Sequence, residues 1–104
     1  KIISLSKNKF FFDCSNYNLL NIMAILKKSL FFVGNNSGPL NMAAALGVKS
    51  FGLICNDPVS ELKYSNILAI TPDNYTDNVW NRDRKGMKNL TVEKVSNFIL
   101  EKIQ

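Results

Sequence analysis

The stretch Asn35-Asn36-Ser37-Gly38-Pro39-Leu40-Asn41 holds the residues of this chain whose types and spacing best suit work on a ligand. Amides and a hydroxyl gather on one tight turn, and Asn41 follows Ser37 by four residues, which puts both on one face of any helix begun there. These groups donate and accept hydrogen bonds without carrying charge. At a helix start, where backbone N–H groups lack partners, such a turn favours an anion. Covalent chemistry is harder to build. The chain has no histidine, which excludes a Ser-His-Asp or Cys-His nucleophile system within it, and the usual His-bearing zinc sites as well. Cys14 and Cys55 each end an apolar run far apart in sequence and read as two buried thiols of a reduced compartment.

The turn needs a strand to deliver it and a helix to receive it. Leu30 to Val33 is a continuous apolar run, too short for a helix and suited to a buried strand. Pro39 stands where a missing N–H costs nothing, with Ser37 or Gly38 as the cap. Leu40, Met42 and Ala43-Ala44-Ala45 form a small-residue helix able to lie close to a sheet. Gly47 ends it, and Val48 to Ile54 reads as the next strand. Leu30–Val33 and Ser50–Ile54 are therefore expected as adjacent central strands of a parallel layer, crossed by a helix over 39–46. The turn then lies at a strand's carboxyl end, the edge where open α/β sheets bind ligands.

Taken in order, Ile2 to Leu5 reads as a strand and Phe10-Phe11-Phe12 as a second short apolar run. Asn16 or Asn18 caps a helix to about Lys28, with Leu19, Ile22, Met23 and Leu26 at helical spacing. Beyond the central unit, Asn56-Asp57-Pro58 starts a turn, Asp57 capping one or two helical turns over Val59–Tyr64. Ile67 to Thr71 is a last short strand. The polar stretch from Asp73 to Met87 has Tyr75 and Trp80 as its anchors. Thr91 caps a closing helix to about Ile103, with Val92, Val95, Phe98 and Ile99 as its buried face and Leu90 and Val95 as a hydrophobic staple. Strands alternating with helices argue for a parallel sheet with helices on both faces. The arrangement looks like the second half of a Rossmann-type domain.

With 104 residues, 46% of them hydrophobic, the chain makes one small domain or a piece of a larger one, with a real core. Its first residue is Lys rather than Met, which reads as a cut or processed chain. No run has the length of a membrane span, and the first residues do not read as a signal peptide. The net charge of +5 comes from scattered lysines with only Arg82 and Arg84 beside them, and reads as a solvated surface. No nucleic-acid-binding motif is evident.

At this point the sequence resembles glycosyltransferase family 9, the ADP-heptose:lipopolysaccharide heptosyltransferases. Their signature is an apolar strand, Asn-Asp-Ser/Thr-Gly-Pro-x-His, and an Ala-rich helix ending in Leu-Gly-Val/Pro. Here the run is Val33-Gly34-Asn35-Asn36-Ser37-Gly38-Pro39-Leu40-Asn41-Met42-Ala43-Ala44-Ala45-Leu46-Gly47-Val48. Asn18-Leu19-Leu20-Asn21-Ile22 looks like the family's Ser-Leu-x-Glu-Leu helix start, and Asp57-Pro58 like the Asp-Pro after its next strand. Met87-Lys88-Asn89-Leu90-Thr91-Val92-Glu93-Lys94-Val95 is similar to its closing Met-x-x-Ile-Thr-x-Glu-x-Val helix. The match runs from about Phe10 onward in order and spacing.

The resemblance implies an α/β fold, the later part of the C-terminal, Rossmann-like domain of a two-domain GT-B glycosyltransferase. It implies a nucleotide-sugar donor such as ADP-heptose as substrate, with no cofactor and no metal. Transfer would be to a lipid-linked saccharide acceptor held by an N-terminal domain. The setting would be cytoplasmic, at the inner face of the cytoplasmic membrane. Donor contacts would fall to Asn35, Asn36, Ser37, Gly38 and Asn41, with Tyr17 where the family packs a residue on the adenine. Tyr17 could equally pack on protein. Asn36 stands where the family has Asp, and Asn41 where it has His, so the turn loses a carboxylate and a titratable group. The family's general base lies in the N-terminal domain and no catalytic residue is assigned here. Were the chain to turn over a nucleotide sugar alone, Asp13 and Asp57 would be the first candidate bases. The two asparagines favour a second reading, a non-catalytic Rossmann-like module that binds nucleotide weakly or serves as an interaction domain.

Overall fold

A computed structural model describes residues 12–55, 59–73, 75 and 90–103. Among the described residues three strands make the sheet: β1 (Phe31–Asn35), β2 (Lys49–Leu53) and β3 (Ile67–Ile70), all parallel, in the order β1-β2-β3. Of the two strands expected to be central, β2 is, and β1 lies at the edge of the described sheet. Three α-helices among the described residues accompany them: α1 (Leu19–Lys27), α2 (Gly38–Ala45) and α3 (Val92–Ile103). A 3-10 turn spans Val59–Glu61.

The pleat of β2 separates the two faces of the sheet. Phe51 and Leu53 point one way, Ser50 and Gly52 the other. On the second face Leu40 of α2 lies over Gly52 so closely that an added Cβ would come within 2.9 Å of Leu40 Cδ2. Leu40, Ala44, Ile54 and Ile67 form the core there, with Phe32 and Ala69 packed against it. The alanines of α2 thus do what small residues permit, bringing a helix near the backbone of a sheet. Helix α1 lies beside α2 on the same face, where Leu26 joins Ala43 and Val48.

Helix α3 takes the opposite face. Phe98 meets Phe51 edge-on at 6.2 Å, and Phe51 meets Phe31 of β1 in the same way at 5.7 Å. Lys49 Nζ donates to the carbonyl of Lys102 at 3.1 Å, while the first turn of α3 borders Leu53. The helix therefore runs antiparallel to β2, its N-terminus at the strand's carboxyl end. Helices do cover both faces of a parallel sheet, and the fold is a small, open, Rossmann-like α/β layer.

Local chemistry explains the boundaries. Asn18 caps α1, its Oδ1 accepting from Asn21 N at 2.9 Å. Thr91 caps α3, its Oγ1 accepting from Lys94 N at 3.1 Å. At the end of α2, Val48 N–H bonds Ala43 O at 3.1 Å and Gly47 N–H bonds Ala44 O at 3.0 Å. With Gly47 at φ +84°, that pattern is a Schellman stop, and the Val48–Ala43 apolar contact accompanies it.

Several expectations need correction. The first strand starts at Phe31, not Leu30, and runs on through Gly34 and Asn35; Leu30 belongs to the connection before it and is 92% exposed. Leu19 does not reach the core, because the first residue of α1 overhangs it while Leu26, two turns on, is buried. Val92 is 83% exposed, at the rim of a hollow beyond the end of β2, and the inner face of α3 is left to half-buried Val95, Phe98 and Ile99. The helical turns expected over Val59–Tyr64 shrink to the 3-10 turn, and β3 stops at Ile70. Both cysteines, expected to be buried, are only half-buried. The expected strand at Ile2–Leu5, the turn at Asn56–Pro58 with Asp57, and Trp80 lie outside the described residues. Tyr75 is described, and its ring packs on the core while its hydroxyl accepts from Val59 N at 2.8 Å.

Candidate functional site

The candidate site is the turn between β1 and α2. Asn35 ends the strand, Asn36 and Ser37 make the bend, and Gly38 opens the helix. Asn35 is the register partner of Leu53, so the turn leaves the carboxyl edge of the sheet directly beside the central strand. Asn35, Asn36, Ser37 and Gly38 are all exposed, and Asn41 is half-buried.

Ser37 occupies the cap position with extended backbone, φ −155° and ψ −179°, yet its side chain caps nothing. Its hydroxyl instead donates to Asn35 O at 3.3 Å. That is long for an O–H···O bond, so the hydroxyl is lightly held and free to reorient. The first-turn N–H groups of α2, those of Gly38 and Leu40, have no helical acceptor by construction, and Pro39 has no N–H to leave unpaired. An oxygen-rich anion is the partner such a helix start accepts.

Asn41 is brought to the same place. Its backbone N–H reaches Ser37 O at 3.3 Å, and its side-chain Nδ2 donates to that same carbonyl at 3.1 Å. The amide therefore folds back onto the turn, as the four-residue spacing predicts. One of its N–H bonds is spent in holding the turn, leaving the other and the oxygen for a ligand.

Tyr17 lies in the turn before α1, about half exposed, its backbone N–H bonded to Cys14 O at 3.1 Å. Leu26, near the end of α1, shares a cluster with Leu46 and Val48 just past the end of α2. The two helices thus pack side by side with their ends together. Asp13 is a poor base. Ser15 donates to its Oδ1 from the hydroxyl at 2.6 Å and from the backbone at 2.9 Å. Those bonds, the side-chain one first, hold its carboxyl below the ordinary 3.8. Burial pushes the Cys55 thiol up from its ordinary 9.0. Among the described residues no group of three or more His, Cys, Asp or Glu is placed to hold a metal ion. Among them, too, no helix is long and apolar enough to cross a membrane.

Sequence reasoning missed Asn66. Its Nδ2 donates to Ala44 O at 3.0 Å and to Val48 O at 2.9 Å, tying the end of α2 and the start of β2 to the turn before β3. Nothing in its sequence neighbourhood signals this, because both acceptors are some twenty residues away. Buried Ser50 was likewise read only as a strand residue; its hydroxyl is satisfied by Val48 O at 2.8 Å.

No family model, no curated protein and no solved structure matches this chain. The class that fold and site define is accordingly a small Rossmann-like α/β layer with a neutral, amide-rich turn at the carboxyl edge of its sheet.

Proposed function

We propose that this chain is the donor-binding portion of a glycosyltransferase similar to the lipopolysaccharide heptosyltransferases, within a two-domain GT-B protein of the cytoplasm. One observation carries the reading: the Asn35–Asn41 turn joins a strand's carboxyl end to the start of α2, with a loosely held hydroxyl and an amide folded over it. A sugar nucleotide presents its diphosphate to the unpaired N–H groups of α2, and Ser37 turns its hydroxyl from Asn35 O to a phosphate oxygen. Asn36 and Asn41 offer amides to phosphate or sugar oxygens, and Tyr17 offers its ring to the base. In transfer such a turn binds the departing diphosphate and fixes its orientation. The acceptor, a lipid-linked saccharide, and the general base belong to the partner domain of that reading.

A second reading is favoured by Asn41, whose amide is partly spent on the Ser37 carbonyl. With Asn36 neutral as well, the domain would be a non-catalytic module that keeps the turn and binds nucleotide weakly.

Calorimetric titration separates the binding claim from a bare fold. ADP is expected to bind more tightly than adenosine, and Ser37→Ala to weaken ADP about tenfold, equivalent to ~1.4 kcal/mol for a hydrogen bond to a charged group. Equal binding of ADP and adenosine, or no effect of Ser37→Ala, would overturn it.

A further inference from the structure

We draw no further inference here: the strongest candidate, the apolar hollow walled by Leu53 at the end of β2 and by Leu90, Val92, Val95 and Ser96 at the first turn of α3, is an unpartnered apolar surface, and nothing in the structure shows what covers it.

Discussion

Asn41 is the residue at which the chemistry of the turn is most exposed to a single change. Its Nδ2–H is directed at Ser37 O, and a carboxylate in its place has no proton to give. Asn41→Asp would also set a negative charge beside the proposed diphosphate. The expected outcome is a fold of unchanged circular dichroism with ADP binding weakened at least tenfold, about 1.4 kcal/mol. Asp13 allows a cleaner electrostatic test. Its carboxyl is held low by Ser15, so Ser15→Ala should raise it toward 3.8, as read from a carboxyl-carbon titration by NMR. The linkage has one sign. A carboxyl depressed in the folded state adds stability above its unfolded pKa and loses it as the pH falls through the folded value. Because Asp13 is exposed, that contribution is small, and the titration rather than the melting curve is the useful readout.

At the scale of elements, α2 and β2 depend on contacts that reach across the chain. Asn66→Ala would strip Ala44 O and Val48 O of a shared donor, a loss of about 1–3 kcal/mol in chemical denaturation. Gly52→Val would drive a side chain into Leu40, Ile54 and Ile67, where even a Cβ comes within 2.9–3.4 Å. A loss of about 1–3 kcal/mol follows from overpacking, and an unchanged midpoint would show that α2 does not lie as close to β2 as described. These two residues also mark how far sequence can be read. The strand–turn–helix–strand unit was legible because Pro39, the alanines and Gly47 each act within a few residues of themselves. Thr91 as a cap, and Asn18 as one of two candidates beside Asn16, were legible for the same reason. Leu19 and Val92 were misassigned because helical spacing reports a face and not whether anything lies under its first turn. Asn66 was invisible, since its partners come from another crossover. The turn itself could be located from sequence, whereas the spending of the Asn41 amide on Ser37 is a matter of three-dimensional geometry.

For the molecule as a whole, the proposal assigns half of a cleft. A GT-B reaction takes place between two domains, so this chain by itself is expected to release no nucleoside diphosphate from any sugar nucleotide in a coupled assay. Appreciable turnover would move the base into this chain, and Asp13→Asn and Asp57→Asn would be the variants to separate. The central claim is narrower than catalysis: the Asn35–Asn41 turn is a phosphate site. Its most direct test follows backbone amide shifts of the 15N-labelled chain during titration with ADP, adenosine and inorganic phosphate. The account predicts shifts with ADP clustered at Ser37, Gly38 and Asn41, absent with adenosine and weakened by Ser37→Ala. Shifts from ADP that scatter over surface lysines just as those from phosphate do would contradict it.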